Sequence, residues 1–142
     1  MRVSEAMTRD VRLCTPGQTI REAAKAMAEI DAGALPVGEN DRLIGMVTDR
    51  DIAIRAVAQG KGPDTPVREV MSEHVHYCFD DEEMDDVAQN MGDIRVRRLP
   101  VVNRDKRLVG ILSLGDVART EGGETVGEAV AGVSQRGGAH TT

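Results

Sequence analysis

The sequence predicts a mixed α/β (α+β) fold made of two repeated β-α-β-β-α units packed with pseudo-two-fold symmetry. Three observations carry this. First, the chain of 142 residues repeats itself. Val3-x-Glu5-x-Met7-Thr8 returns as Val67-x-Glu69-x-Met71-Ser72, Cys14 as Cys78, Met27 as Met91, and Leu35-Pro36-Val37 as Leu99-Pro100-Val101, all at an offset of 64. One extra loop residue then shifts the offset to 65, where Leu43-Ile44-Gly45 matches Leu108-Val109-Gly110, Thr48 matches Ser113 and Asp51 matches Asp116. Second, each copy alternates short apolar runs with a stretch of helical apolar spacing. Third, the chain has one Tyr, one Phe and no Trp, so its core is built from Val, Ile, Leu, Ala and seven Met. Small and branched side chains suit close packing of duplicated units.

The elements follow in order. Val11-Arg12-Leu13-Cys14 reads as a short strand closed by the turn Thr15-Pro16-Gly17. Thr19-x-x-Glu22 is a capping box opening a helix, with Ile20, Ala23, Ala24 and Met27 on its apolar face. Ala34–Val37 and Leu43–Val47 read as a hairpin across the polar loop Gly38–Arg42. A second helix runs from Thr48 to about Ala58. The second copy gives a strand at Val75–Phe79, a helix carrying Met84, Val87, Ala88 and Met91, strands near Leu99–Val102 and Leu108–Leu112, and a helix from Ser113. The repeats are assigned to residues 1–62 and 63–120. Residues 121–142 form a Gly-rich tail, in which Thr125-x-x-Glu128 with Val126, Ala129, Val130 and Val133 predicts a short helix and Gln135–Thr142 is expected to be disordered. One such unit makes a thin core, whereas two can bury their sheet faces together.

Composition narrows the function. The net charge is −6, which argues against a general nucleic-acid coat. The apolar fraction of 40% is too high for a disordered polymer. No apolar run approaches the roughly 20 residues of a bilayer span, and the first residues lack the apolar stretch of a secretory signal. The expectation is a cytoplasmic protein without a membrane role. No Ser or Cys has a visible His–acid partner set, so the chain reads as a non-enzyme.

The duplicated motifs Gly33-Ala34-Leu35-Pro36-Val37, Leu43-Ile44-Gly45-Met46-Val47-Thr48-Asp49-Arg50-Asp51, Arg97-Arg98-Leu99-Pro100-Val101-Val102 and Leu108-Val109-Gly110-Ile111-Leu112-Ser113-Leu114-Gly115-Asp116 closely resemble the CBS domain, named after cystathionine β-synthase, in its tandem form, the Bateman module. The resemblance covers residues 1–120, with no attached catalytic or transport domain. It implies a regulatory, energy-sensing module that binds an adenosine-containing ligand (AMP, ADP, ATP, NAD or S-adenosylmethionine) in the cleft between the repeats. No cofactor is required. It also implies a homodimer formed through helices, acting on an unidentified protein target. A ligand-independent dimeric scaffold using the same fold is the alternative.

The residues support such roles on their own chemistry. Thr48-x-x-Asp51 and Ser113-x-x-Asp116 start helices after apolar strands. A carboxylate accepts both hydroxyls of a ribose diol, although the same spacing also reads as a capping box. Arg95, Arg97 and Arg98 form a basic cluster in an acidic chain, and guanidinium suits phosphate; a solvated strand end is the plain alternative. The preferred site takes Thr15, Gly33, Ala34 and Pro36 as the base wall, Ser113, Gly115 and Asp116 for ribose, and Arg97 and Arg98 for phosphate. The second takes Thr48, Arg50 and Asp51, with Tyr77 and Phe79 near the base, where they either stack or belong to the core. No metal site is expected. Asp80–Asp86 reads as acidic charge at a helix start, and His74-x-His76 lacks further ligands. Cys14 and Cys78 read as small buried residues, with a disulfide between them the alternative.

Overall fold

The computed structural model describes residues 1–94, 97–120 and 123–133. In chain order the elements are α1 (Val3–Ala6), α2 (Ile20–Ile30), β1 (Ala34–Glu39), β2 (Arg42–Thr48) and α3 (Asp49–Asp51), which runs on as a π-helical turn Ile52–Ala56 and a 3-10 turn Val57–Gln59. After a 3-10 turn at Val67–Glu69 come β3 (Cys78–Phe79), α4 (Met84–Ile94), β4 (Arg98–Val102), β5 (Leu108–Ser113), α5 (Leu114–Thr120) and α6 (Gly123–Val133). They form two compact units. The first-repeat unit holds Arg12–Val75 with Lys106–Leu108, and the second-repeat unit holds Met1–Val11, His76–Asp105 and the chain from Val109 onward.

In the first-repeat unit the capping box forms as the spacing predicts. The Glu22 N–H donates to Thr19 Oγ1 at 3.2 Å and the Thr19 N–H to Glu22 Oε1 at 3.4 Å. Helix α2 buries Ile20, Ala23, Ala26 and Met27. Ala24, expected on that face, is exposed, and Ala26 takes its place. The hairpin pairs Leu35 with Val47 and Pro36 with Met46, antiparallel. Asn40 and Asp41 turn it with φ of 54° and 64°, the two positive φ values of a type I′ turn. The strand expected over Val11–Cys14 shrinks to one parallel bridge, Cys14 to Val37. Arg12 and Leu13 are exposed, so only Cys14 gains from burial there.

The second-repeat unit follows the same plan. Helix α4 buries Met84, Val87, Ala88 and Met91, the face predicted from spacing. Strand β3 covers only Cys78–Phe79 of the expected Val75–Phe79, pairs parallel to β4 through Cys78 and Val101, and leaves β4 to join β5. The core is Val3, Met7, Cys78, Met84, Val87, Met91, Leu99, Leu112 and Val117 with their neighbours.

The compact units cross the repeat limits of 1–62 and 63–120 read from the sequence. The Val67 N–H donates to the Gln18 carbonyl at 2.8 Å, and Ser72 and Met46 exchange backbone bonds of 2.8 and 3.0 Å. In the other unit the Val3 N–H donates to the Glu82 carbonyl at 2.9 Å, and Thr8 and Ile111 exchange bonds of 2.9 and 3.0 Å. The leading segment of each repeat therefore docks on the body of the other. The cause is burial: Val3 and Val67 are fully enclosed there, and the backbone bonds satisfy strand edges that would otherwise be unpaired. Glycine makes room for this. A Cβ on Gly45 would fall 2.7 Å from the Ser72 carbonyl oxygen, and one on Gly110 3.0 Å from that of Thr8.

The tail helix expected around Thr125 begins at Gly123 and packs on α4, with Ala129 fully buried. The expectation for Gln135–Thr142 lies outside the described residues. Cys14 and Cys78 are free, buried thiols. Among the described residues no helix is long and apolar enough to cross a membrane.

Candidate ligand-binding site

Each β-β-α run ends where an apolar strand turns into a helix, and there a hydroxyl and a carboxylate stand three residues apart. The Thr48 N–H donates to Asp51 Oδ2 and the Asp51 N–H to Thr48 Oγ1, both at 3.0 Å. In the second-repeat unit the Ser113 N–H donates to Asp116 Oδ2 at 2.8 Å and the Asp116 N–H to Ser113 Oγ at 3.1 Å. Both motifs are thus capping boxes. Capping uses one carboxylate oxygen and fixes the side chain, while Oδ1 stays available to another donor.

The second oxygens differ. Asp116 is only 2% exposed, and its Oδ1 accepts from the Arg119 guanidinium, whose own side chain is 66% exposed. Asp51 Oδ1 lies 3.8 Å from Arg55 Nε, with the Asp51 side chain 15% exposed, beyond hydrogen-bond range. Arg55 turns instead to the carbonyls of Val70 and Met71 at 3.4 and 3.3 Å. Arg119 was not singled out from the sequence. The signal was its place three residues after Asp116, one turn along the same helix face.

The neighbours are held by equivalent backbone bonds. The Asp49 N–H donates to the Gly33 carbonyl at 2.9 Å and the Leu114 N–H to the Arg97 carbonyl at 3.0 Å. Arg97 and Arg98, at the start of β4, therefore share a corner with Ser113, Gly115 and Asp116 in the second-repeat unit. A Cβ on Gly115 would lie 3.5 Å from Ser113 Oγ and 3.6 Å from Arg119. Arg97 is exposed and Arg98 half-buried. Arg95 lies outside the described residues.

The other expected residues are in the first-repeat unit. Ala34 pairs with Thr48 across the hairpin, so Gly33 and Ala34 share a corner with Thr48, Arg50 and Asp51. Pro36 is buried, and its carbonyl accepts the Cys14 N–H at 3.0 Å. Thr15, next along, is exposed and donates its N–H to Gln18 Oε1 at 2.8 Å. A depression of about 380 Å³ opens beside Gly33, lined in part by Ala24, Met27, Ala28, Asp49 and Ile52.

Tyr77 and Phe79 belong to the second-repeat unit and meet edge to face, with centroids 5.6 Å apart and planes at 84°. The Arg104 guanidinium lies 4.0 Å over the Phe79 ring and is clamped by two 2.8 Å bonds to Asp81. This bond to Arg104 holds the Asp81 carboxyl below the usual carboxylate range. One face of Phe79 is therefore already covered by a cation. Two more members of the acidic run have structural partners: Glu82 Oε1 accepts the Phe79 N–H at 2.9 Å, and Glu83 pairs with the N-terminal ammonium at 3.2 Å. Among the described residues, no three His, Cys, Asp or Glu side chains gather as a metal site. Burial pushes the thiols up, to about 11 for Cys14 and about 12 for Cys78.

A duplicated β-α-β-β-α unit with a capped carboxylate at each strand-to-helix corner defines a tandem-repeat module. The chain belongs to the CBS domain family: the family model matches residues 3–57 and again 67–123. It is 42% identical over 135 residues to the CBS domain-containing protein YhcV of Bacillus subtilis, covering 94% of this chain and 96% of that protein. Among solved structures it resembles CBSX2 in complex with AMP, with a TM-score of 0.74 and 28% identity over 83% of this chain and 93% of that one. It also resembles the CBS domain pair of protein MJ0100 in complex with 5′-methylthioadenosine and S-adenosyl-L-methionine, with a TM-score of 0.74 and 29% identity over 84% and 94% of the two chains.

Proposed function

We propose that this chain is a non-catalytic regulatory module that senses an adenosine-containing molecule, using the strand-to-helix corners of its two repeats. The observation that carries this is the pair of aspartates, Asp51 and Asp116, each pinned through Oδ2 by a capping box, with Oδ1 the oxygen for a ribose diol, which at Asp116 takes the place of Arg119. In the second-repeat unit Arg97 and Arg98 stand beside that carboxylate and supply guanidinium groups for a phosphate. The complexes of CBSX2 and MJ0100 support an adenosyl ligand as the class.

The module acts as a homodimer. Ile30, Ile54 and Val57 are 43%, 44% and 67% exposed on the first-repeat unit, and a second copy covers that helical face.

A thermal-shift screen with AMP, ADP, ATP, NAD and S-adenosylmethionine tests the reading. At a hundredfold excess over Kd, one ligand should stabilise the protein by about 2.7 kcal/mol. No shift with any of the five would refute it and leave a scaffold role.

A further inference from the structure

Each corner carries an arginine one turn after its aspartate, but not at the same place. In the first-repeat unit it is Arg55, four residues after Asp51; in the second it is Arg119, three after Asp116. At the offset of 65, Ile54 holds the place of Arg119 in the first repeat, and Thr120 holds the place of Arg55 in the second. The helices differ over the same stretch. Ile52–Ala56 is π-helical, whereas Leu114–Thr120 is α-helical. Three residues of α-helix bring a side chain back onto its own face, and Arg119 reaches Asp116 Oδ1. Arg55 leaves Asp51 Oδ1 at 3.8 Å and donates to the carbonyls of Val70 and Met71. Thr120 donates its hydroxyl to the Asp116 carbonyl at 2.8 Å and leaves the carboxylate to Arg119.

The two partners at the second corner are unequal. The Asp116 side chain is 2% exposed and that of Arg119 is 66% exposed. The acceptor is fixed by the Ser113 box, while its partner lies mostly in water. A buried carboxylate without a counter-charge is costly, and Arg119 supplies that charge at the oxygen the box does not use. The guanidinium folds back over Gly115, where a Cβ would lie 3.6 Å from Arg119 Nη1.

We infer that Arg119 is a specificity-determining residue of the Asp116 corner: it neutralises Asp116 until ribose hydroxyls take Oδ1, and then passes to an anionic group of the same ligand. This rests on the adenosyl reading above and adds how the corner tells a nucleotide from a nucleoside. A nucleoside displaces Arg119 into solvent. A nucleotide displaces it and offers a phosphate, whose paired oxygens match the guanidinium fork. One pairing is exchanged for another, so the penalty falls on the uncharged ligand alone. At the first corner Ile54 is uncharged and Arg55 is held by carbonyls, so the selection belongs to Asp116.

The test uses the full chain with Asp51→Asn, so that the second corner reports by itself, and adds Arg119→Ala or Arg119→Lys. Arg119 is exposed and alanine suits a helix, so the fold is kept. Calorimetric titrations with adenosine and with AMP give the ratio of their Kd values. Loss of the pair with Asp116 acts on both ligands alike, so the ratio isolates the phosphate contact. In Arg119→Ala the preference for AMP should fall by about tenfold or more, and adenosine should bind up to about fivefold tighter. Arg119→Lys keeps the charge and should give a preference between those of the parent and the alanine variant. A preference unchanged within about twofold in Arg119→Ala overturns the inference; if both ligands weaken equally, Arg119 is a positioning residue for Asp116 instead. If Asp51→Asn binds neither ligand while the parent chain binds, the second corner is no site and the inference falls with the adenosyl reading intact. If the parent chain binds neither, both fall.

Discussion

Replacing Asp116 by Asn separates the capping role of this residue from ligand binding. Asn keeps the volume and one carbonyl oxygen, which still accepts the Ser113 N–H that Asp116 Oδ2 holds at 2.8 Å; the negative charge that draws ribose hydroxyls and Arg119 is lost. A mononucleotide of roughly 23 heavy atoms at about −0.3 kcal/mol per atom gains about −7 kcal/mol, a Kd on the order of 10 μM. At about 1 mM ligand that stabilises the fold by about 2.7 kcal/mol. Two hydroxyl bonds to a charged acceptor are worth about 3 kcal/mol at the low end of their range. Displacing Arg119, whose side chain is 66% exposed, returns at most about 1 kcal/mol, the scale of a surface pair. The net loss is about 2–3 kcal/mol, or roughly 30- to 160-fold in Kd. Ligand stabilisation at about 1 mM then drops below about 1 kcal/mol. In a differential scanning fluorimetry titration the shift falls from about 5–11 °C to less than about 4 °C, at 2–4 °C per kcal/mol. An Asp116→Asn protein with the parent melting temperature and an undiminished AMP shift would refute the ribose assignment at this corner.

Three further outcomes follow from the same geometry. Arg97→Ala should weaken AMP binding by about 10- to 100-fold, the worth of one charge-assisted phosphate contact, and leave 5′-methylthioadenosine, which has no phosphate, within about threefold; calorimetric titration of both ligands reads the ratio. Gly45→Ala should cost about 1–3 kcal/mol, because the new Cβ falls 2.7 Å from the Ser72 carbonyl oxygen and the docked segment must move; Gly62→Ala, with nothing within 4 Å, should cost far less in the same urea melt. The raised thiols set an alkaline limit: each thiol holds its proton more tightly in the fold than in the unfolded chain, so stability is full below about the ordinary 9.0 and declines as pH climbs through about 11 to 12. Thiol titration at pH 8 should accordingly find both cysteines slow to react in the native protein and fast in denaturant.

Much of the molecule was legible because its local signals are repeated. The Thr19-x-x-Glu22 box, the hairpin of the first repeat and the apolar spacing of Met84, Val87, Ala88 and Met91 are short-range features that form as expected, although the hairpin loop is two residues long and not the five of Gly38–Arg42. The leading segments were not legible as exchanged. Val3-x-Glu5-x-Met7 and Val67-x-Glu69-x-Met71 look identical in sequence, and their partners are chosen by long-range burial, which periodicity does not encode. The short strands were overestimated for a related reason: β-branched or apolar residues at Val11, Leu13 and Val75 satisfy the pattern, but only Cys14 and Cys78 reach a core. At the candidate site the aspartates and their hydroxyl partners were visible as motifs. Arg119 was missed because its i+3 spacing from Asp116 is shared by many exposed helix pairs that make no contact, and only the fold shows that these two meet. The same holds for Arg104, which reaches Phe79 across a turn and occupies a ring face that the sequence leaves open.

The duplicated backbone and the diverged side chains argue that the two corners are not interchangeable. Gly33 and Arg97 occupy the same place and accept the same backbone bond from the residue that opens the helix. Around that shared frame the charges part. In the second-repeat unit Asp116 stands with Arg97, Arg98 and Arg119. In the first-repeat unit Asp51 stands with Asp31, Asp49, Arg50 and Arg55, and the Asp49 carboxylate lies 2.9 Å from where a side chain at Gly33 would begin. A phosphate entering the first corner meets carboxylates at the position where the second offers guanidinium. These charges are exposed and screened by solvent, but their sign is opposite at the two corners. Ribose recognition can therefore be common to both corners while the charge of the ligand is read differently at each. On the proposed reading, a phosphorylated nucleotide is expected at Asp116 and an adenosyl group carrying no negative charge at Asp51, whose Oδ1 makes only a 3.8 Å ion pair with Arg55.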